Sequence, residues 1–263
     1  MQRCCRRRWL FFLCLLCGGV QSNLMGEKRR GANSLELPEP SPGESGALVR
    51  LYLCRHGQTD YNAEGKIQGS GVDRSLSEVG LAQAESIGEA LRDIPLDMIG
   101  SSTLTRAIQT AEAISKRHPG ANRVEHEGLR EMNFGDMEGK VLEDFRHNYQ
   151  ILIEAWAVGD VRRRWPGGGE SPFDVESRAR AALRDLGIIG VNCERGVRHV
   201  ALVTHGRFNK ILLASLLGEG LNRAGLIKQE NCCINVIDID PCAPFDSTTA
   251  CTKIVINFFD HLK

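Results

Sequence analysis

Residues 48–57 read LVRLYLCRHG, a short apolar run that ends in Arg-His-Gly. Apolar runs of this length and composition predict a β-strand. Further along, RHVALVTHG predicts a second strand over residues 198–204 that also runs into His-Gly. Glycine lets the backbone turn close to a ligand, and sites in open α/β sheets form at the carboxyl ends of strands. The two endings therefore predict that His56 and His205 lie at the same edge of one sheet.

Outside these two segments, apolar runs alternate with helical patterns as far as the carboxyl terminus. Ser77 and Ser102 are predicted N-caps, since a serine hydroxyl can accept a hydrogen bond from the first turn of a helix. Strands that alternate with helices predict one layered α/β domain with a mostly parallel sheet. The predicted strands cover residues 48–54, 198–204, 234–239 and 253–259, and the predicted helices cover 78–92 (with Leu81, Ala84, Ile87 and Leu91 on one face), 103–117 (with Leu104, Ala107, Ala111 and Ile114 facing inward), 141–158, 172–189 and 207–217.

The composition excludes recruitment of a partner by overall charge. The chain has 263 residues with 33 basic and 33 acidic side chains, so its formal net charge is zero. No global field attracts nucleic acid or an anionic membrane, and an anion site must come from a local cluster. Six of the ten cysteines follow residue 17 and form no C-x-x-C pair, a spacing that does not indicate a metal site. Cys242 and Cys251 could form a disulfide in an oxidising compartment.

The first 22 residues have the organisation of an N-terminal leader. A basic start is followed by an apolar run over residues 9–17 and by GGVQS. This pattern is typical of a cleaved secretory signal peptide, with organelle import as the alternative, and it predicts a secretory-pathway or secreted protein. The run is shorter than the roughly 20 residues that span a bilayer, so we expect no membrane span in the mature protein. Residues 23–46 predict a disordered linker, which leaves residues 47–263 as the folded domain.

Two arginines accompany the two histidines. Arg55 directly precedes His56, and Arg106 falls in the first turn of the helix that Ser102 is predicted to cap. A guanidinium near a helix N-terminus adds a two-pronged donor to an end that already favours anions. Two imidazoles and two guanidiniums predict a site that handles a phosphoryl group, with no metal and no cofactor.

Six segments in chain order resemble the histidine phosphatase superfamily, phosphoglycerate mutase branch. They read RHGQTDYNAEGKIQG, LSEVGLAQA, SSTLTRAIQTA, LREMNFGDMEG, PGGGES and VTHG, and the similarity runs from about Leu48 to the carboxyl terminus. The resemblance implies a three-layer α/β/α sandwich with a mostly parallel central sheet, which agrees with the alternation of strands and helices. It also implies that residues 47–263 form the catalytic domain.

The resemblance implies catalytic roles for five matched residues. His56 would be the nucleophile that becomes phosphohistidine, a role that needs a neutral imidazole with one nitrogen free. Arg55, Arg106 and His205 would hold the phosphoryl oxygens and stabilise charge in the transition state. Glu131 would protonate the leaving oxygen.

Further matched residues are expected around the substrate. Asn62 would donate a hydrogen bond to the phosphoryl group. Gly57, Gln68 and Gly69 would shape the loops that surround the substrate.

Two positions depart from the family pattern. Gln58 stands where glutamate is common, which should matter little because that side chain does not react. Arg207 stands where a second glycine is frequent, so it adds a cation or bulk near the mouth and bears on the choice of substrate. The three arginines at 162–164 are either a substrate anchor or, more commonly for such a run, a solvated basic turn.

Three functions fit these residues. In a phosphatase, water attacks the phosphohistidine; a bisphosphoglycerate-dependent phosphoglycerate mutase returns the phosphoryl group to a second oxygen; a non-catalytic relative only binds phosphate or a phosphoprotein. Because every matched catalytic position is filled, the non-catalytic relative is disfavoured. Only 73 residues separate Glu131 from His205, where mutases of the family carry a longer insert. This spacing favours a phosphatase of small phosphorylated metabolites.

The sequence indicates the type of reaction more specifically than it indicates the substrate. The segment QGSGVDRSLSEVG and the final DHL resemble fructose-2,6-bisphosphatase-like members of the family. Sugar phosphates, phosphoglycerates, phosphoserine and nucleotides all stay open, as does the oligomeric state.

Overall fold

A six-stranded sheet forms the centre of the computed structural model, which describes residues 35–191, 194–244 and 251–263. The strand order is 3-2-4-1-5-6 in chain numbering. The first four strands in this order are parallel to one another, and the last two join in antiparallel pairing. The strands are β1 (Ala47–Arg55), β2 (Met98–Ser101), β3 (Asn122–Glu125), β4 (Gly196–Thr204), β5 (Ile234–Ile239) and β6 (Cys251–Phe258).

Helices cover both faces of the sheet. Because side chains alternate along a strand, β1 contributes Leu51 and Leu53 to one core and Tyr52 and Cys54 to the other. The first core includes side chains of α4, α5 and α6, and the second includes side chains of α2 and α3. The three-layer α/β sandwich with a mostly parallel sheet is therefore confirmed. The α-helices of the described residues are α1 (Asp60–Ala63), α2 (Glu78–Ala90), α3 (Thr105–Ser115), α4 (Arg146–Ala157), α5 (Pro172–Asp185) and α6 (Gly206–Leu216).

Most predicted elements are present, with shifted ends, and β2 and β3 were not predicted. Ser77 caps α2 as expected, its hydroxyl accepting the Gly80 N–H at 3.1 Å. The prediction for Ser102 was wrong: α3 begins at Thr105 and its N-cap position is Leu104, without a side-chain cap. The helix predicted from residue 141 opens with a 3₁₀ turn at Leu142–Phe145 before α4.

One face of α2 also differs from the prediction. Ala84, Ile87 and Leu91 are buried, but Leu81 is 48% exposed. Leu81 lies in the first turn of the helix and is not part of the core that α2 and α3 share. By contrast, the predicted inward face of the next helix is buried throughout, at Leu104, Ala107, Ala111 and Ile114.

The predicted leader and the first part of the predicted linker lie outside the described residues. Residues 35–46 contain no helix or strand, yet Leu35 and Leu37 pack against the core formed with α2 and α3. An Nη1 atom of Arg50 also donates to the Pro38 carbonyl at 2.6 Å. This part of the segment is thus attached to the domain. In the part of the chain that the structure describes, no helix is long and apolar enough to cross a membrane.

Cys242 and Cys251 are both free thiols in the structure. The disulfide considered from the sequence is not formed. Cys242 is exposed, whereas Cys251 lies partly buried in the edge strand β6.

Candidate active site

The two predicted histidines lie side by side at the carboxyl edge of the sheet. β1 and β4 are parallel neighbours, and Arg55 pairs with Thr204 in the last register position. One residue on, the His56 N–H donates to the Thr204 carbonyl at 3.0 Å. The ring centroids of His56 and His205 are 5.1 Å apart, and both residues are buried. Backbone pairing therefore sets the spacing of the two imidazoles.

The imidazole of His56 is held in one tautomer. Its Nδ1 lies 2.7 Å from the Gly57 carbonyl oxygen, which can only accept, so Nδ1 carries the proton. Nε2 is then left with a lone pair. Burial, together with the Arg106 and Arg55 guanidiniums, lowers the pKa of His56 well below its ordinary value. The ring is accordingly neutral at neutral pH, which is the form that a nucleophile requires.

The imidazole of His205 is oriented by Ser102. Its Nε2 lies 2.7 Å from Ser102 Oγ, and that hydroxyl already accepts the Leu104 N–H at 3.2 Å. When the hydroxyl donates its proton to Nε2, the ring proton lies on Nδ1. This Nδ1 is buried and has no hydrogen-bond partner in the described part of the chain. Burial, Arg106 and His56 lower the pKa of His205 well below its ordinary value, so the ring is a neutral donor.

Two guanidiniums supply the positive charge of the site. Arg55 donates from Nη1 to the Gln229 carbonyl at 2.7 Å. Arg106 is fully buried and donates to the Val72 carbonyl at 2.9 Å and to the Gly69 carbonyl at 3.2 Å. Burial lowers the pKa of Arg55, and it lowers the pKa of Arg106 to about 10, which keeps Arg106 protonated at neutral pH. Arginine side chains stay charged in proteins, so Arg55 also carries a positive charge. In each, Nε is buried without a partner among the described residues.

Glu131 lies against the N-terminus of α6. Its Oε1 accepts the N–H groups of Met132 and Phe208, each at 2.8 Å, and its Oε2 accepts the Arg207 N–H at 3.0 Å. Its charge also acts on both Arg55 and Arg106. Because α6 begins directly after His205, this carboxyl group is attached to the same strand-to-helix turn as the second histidine.

Asn62 and Gln68 lie in the loop that follows His56. The Asn62 Oδ1 accepts from the Thr59 N–H and from Asn231 Nδ2, both at 3.2 Å. Gln68 Oε1 accepts from the Thr59 hydroxyl at 2.8 Å, and Gln68 Nε2 is buried without a partner among the described residues. Both amides therefore use their oxygen atoms within the protein and keep N–H groups for a ligand.

Gly57 and Gly69 are required by packing. A Cβ on Gly57 would lie 2.5 Å from the Gly80 carbonyl oxygen of α2. A Cβ on Gly69 would lie 2.0 Å from Glu138 Oε1 and 2.8 Å from the Met132 carbonyl oxygen. The loops around the site pass so close to neighbouring segments that no side chain fits at these positions.

Three further arginines contact other side chains of the protein. The Arg207 guanidinium donates to the Tyr149 hydroxyl of α4 and lies 5.8 Å from the centre of that ring. Arg162 lies over the Phe173 ring at 3.5 Å, and Arg164 pairs with Asp174 at 2.9 Å. These contacts with the first turn of α5 support the interpretation of residues 162–164 as a basic surface turn.

Several residues of the site were not predicted. Besides Ser102, Thr110 accepts the Gly57 N–H at 3.1 Å, and Asn231 Nδ2 donates to the His56 carbonyl at 3.2 Å. Thr110 lies one helical turn after Arg106 in SSTLTRAIQTA, a spacing that places the two on one face and could have indicated it. Asn231 follows a loop far along the chain, where nothing in the local sequence indicates a contact with His56.

Comparison with known proteins places the chain in a family. The family described as the histidine phosphatase superfamily (branch 1) matches residues 51–247. A phosphoglycerate mutase, named as probable, of Erwinia tasmaniensis is 31% identical over 191 residues, which are 73% of this chain and 85% of that protein. Glucosyl-3-phosphoglycerate phosphatase of Mycolicibacterium vanbaalenii is 35% identical over 179 residues, 64% of this chain and 74% of that protein.

A solved structure agrees with this assignment. The native structure of a mycobacterial glucosyl-3-phosphoglycerate phosphatase superposes with a TM-score of 0.67 at 31% identity, covering 80% of this chain and 99% of that one. The family match includes both histidines, because it begins at residue 51 within β1 and extends to residue 247, beyond β5. From the family match, the relatives and the fold together, this chain is an enzyme of the histidine phosphatase superfamily, branch 1.

Proposed function

We propose that this enzyme is a metal-independent phosphomonoesterase that hydrolyses small phosphorylated metabolites through a phosphohistidine at His56. One observation carries the proposal: His56 is a buried, neutral imidazole with Nδ1 fixed and Nε2 free, and the charges of Arg106 and Arg55 act on it. Such a group can attack phosphorus without first losing a proton. Arg55, Arg106 and His205 each have a buried nitrogen without a partner among the described residues, and these groups are suited to bind phosphoryl oxygens.

The first half-reaction forms the phosphoenzyme. His56 Nε2 attacks the phosphorus while the bond from phosphorus to the ester oxygen breaks. Arg55, Arg106 and the Nδ1–H of His205 stabilise the charge on the three non-bridging oxygens. Glu131, as the general acid, gives a proton to the departing oxygen, so the alcohol leaves uncharged.

The second half-reaction releases phosphate. The Glu131 carboxylate, now deprotonated, accepts a proton from a water molecule as that water attacks phosphorus. The bond between phosphorus and Nε2 breaks, and its electron pair returns to the His56 ring. Enzyme and Glu131 are then in their starting states, and the net reaction is hydrolysis of one ester.

Hydrolysis is favoured over mutase activity by the connection between Glu131 and His205. Only 73 residues separate Glu131 from His205, where the resemblance implies a longer insert in mutases, and a shorter segment lets water reach the phosphohistidine. The names of relatives include both a mutase and a phosphatase, so they do not decide between the two. A primed mutase would isomerise 3-phosphoglycerate faster than it releases inorganic phosphate.

A screen of purified enzyme against sugar phosphates, phosphoglycerates, phosphoserine and nucleotides, in the presence of EDTA, tests the proposal. We expect release of phosphate from at least one ester and an acid-labile, base-stable phosphate on the enzyme after brief exposure to substrate. Replacement of His56 by alanine should abolish both. Turnover by His56→Ala at even a few per cent of normal, or isomerisation that outpaces hydrolysis, would overturn it.

A further inference from the structure

We propose that Arg178 is a positioning residue, which holds the main chain of Glu131 so that its carboxyl group reaches the leaving oxygen. This inference rests on the proposed function, because it assigns a task to a residue of the same site. Arg178 lies on α5, and its side chain is 24% exposed. Its sequence neighbourhood is that of an ordinary partly exposed arginine, and none of the roles above uses it.

The Arg178 guanidinium binds the segment that carries Glu131. Nη1 donates to the Gly128 carbonyl at 3.0 Å and to the Arg130 carbonyl at 2.7 Å, and Nη2 donates to the Glu131 carbonyl at 3.0 Å. A planar guanidinium presents its donors in a fixed fork, so three carbonyl oxygens on one group define the path of the main chain. A lysine ammonium has no such planar fork.

Glu170 fixes the guanidinium in turn. Its carboxylate accepts from Arg178 Nε at 2.7 Å and from Nη2 at 3.0 Å, the two-point arrangement that orients an arginine best. The same carboxylate accepts the Asn133 N–H at 2.8 Å, and the Glu170 N–H donates to the Asn133 carbonyl at 2.8 Å. Glu131 is thereby held on both sides, by Arg178 before it and through Glu170 after it.

Glu131 is also held at its carboxyl group, by the N-terminus of α6. Its carboxylate is held by the first N–H groups of α6, and Arg178 lies 5.5 Å from the ring centre of Phe208, which supplies one of them. Arg178 makes no hydrogen bond to His56, Arg55 or Arg106 among the described residues. Replacement of the Arg178 guanidinium should therefore displace Glu131, the proton donor, and leave the position of His56, the nucleophile, unchanged. A displacement of about 1 Å at a reacting group costs on the order of 100-fold in rate.

Two substrates with different leaving groups distinguish a positioning role of Arg178 from a purely structural role. An alkyl alcohol needs a proton to leave, whereas p-nitrophenol departs as a stable anion. For Arg178→Lys we expect kcat for an alkyl phosphate to fall by about 10- to 100-fold, and kcat for p-nitrophenyl phosphate to change far less. The lysine keeps a positive charge, which matters because Arg178 also contributes to the low pKa of His205. Glu170→Gln, which weakens the orientation of the arginine, should show the same pattern to a smaller degree.

The matched control is Arg180→Lys on the same helix. Arg180 donates from Nε to the Ser215 hydroxyl at 2.8 Å and pairs with Glu176, so it stabilises the contact between α5 and α6. This variant should leave the ratio of the two rates unchanged. Circular dichroism of each variant checks that the fold is intact, and Glu170→Gln provides the test if Arg178→Lys does not fold.

A double substitution completes the test. Once Glu131→Gln has removed the proton donor, Arg178→Lys should lower the rate with the alkyl ester no further. Equal losses for both esters in Arg178→Lys, no loss for either, or a full loss in the Glu131→Gln background would overturn the inference. The alkyl phosphate is the best substrate found in the screen described above. An unaltered enzyme that hydrolyses no ester of that screen would overturn the proposed function and this inference with it, whereas the other outcomes overturn the inference alone.

Discussion

The hydroxyl group of Ser102 lies 2.7 Å from Nε2 of His205, across 103 positions of sequence. The contact joins the end of β2 to the end of β4, two strands that pair in parallel. When the hydroxyl donates to Nε2, the ring proton of His205 lies on Nδ1, and the second histidine can donate to an anion. A residue that the sequence indicates as a helix cap thus orients a member of the candidate site.

Ser102→Ala should lower kcat for p-nitrophenyl phosphate by about 100-fold, in the range seen when one transition-state donor is lost. Without the hydroxyl, the ring proton can move to Nε2, and Nδ1 then presents a lone pair to the phosphoryl oxygens. The matched control is Ser101→Ala, because the neighbouring Ser101 hydroxyl is buried but has no partner in the described residues. A loss no greater than that of the control would contradict the role of Ser102.

His56 and His205 should both remain neutral at pH 6.5, where an unperturbed histidine is half protonated. The sign follows from the lowered pKa values, since a group with a depressed pKa takes up its proton only at lower pH. Nitrogen-detected NMR of the imidazoles in free enzyme measures this, and His56→Asn and His205→Asn assign the signals. Protonation of either ring at or above pH 6.5 would argue against the buried environment described here.

Glu131→Gln should slow the phosphorylation of His56 steeply for alkyl phosphates, by roughly 10²- to 10⁴-fold, the range of general acid catalysis. For p-nitrophenyl phosphate the loss should be much smaller. Rapid-quench measurement of phosphoenzyme formation gives both rates. Glu127→Gln alters an exposed carboxylate in the same segment that pairs with Arg130, and it should change neither. Equal losses with both leaving groups would reduce Glu131 to a residue that only supports α6.

Gly57→Ala should destabilise the fold by about 1–3 kcal/mol, the usual cost of overpacking. The added methyl group would meet the Gly80 carbonyl oxygen at 2.5 Å, and this main-chain atom belongs to α2 and cannot move alone. Urea denaturation measures the free energy of unfolding. Gly43→Ala is the control, since nothing lies within 4 Å of a Cβ there. An unfolding free energy equal to that of the control would show that the loop relaxes freely.

The sequence predicted the parts of the fold that carry strong local patterns. β1 and β4 contain apolar runs, and α5 begins at Pro172 after the N-cap residue Ser171, which forms a capping box with Asp174. β2 and β3 are four residues each, too short for a periodic pattern. β2 is MIGS, with a glycine inside, and β3 is NRVE, a partly exposed edge strand. Pairing with neighbouring strands makes them strands, and that information is not local.

The residues of the candidate site likewise fall into those that the sequence predicted and those that it did not. His56 and His205 follow strands directly, so the sheet brings them together as predicted. The contact from Ser102 to His205 and that from Arg178 to Glu131 join segments 103 and 47 positions apart. A serine ahead of a helix and an arginine within one each have a common local explanation, and only the three-dimensional arrangement gives them another.

The last register position of β1 and β4, Arg55 opposite Thr204, has an evolutionary consequence. The distance between the two imidazoles is a property of the sheet, whereas Tyr149 and Arg207 belong to the helical segments beside it. Side-chain replacements at these two positions can therefore accumulate without altering the separation of the two imidazoles. A lineage built on this arrangement can change what it hydrolyses while inheriting how it hydrolyses.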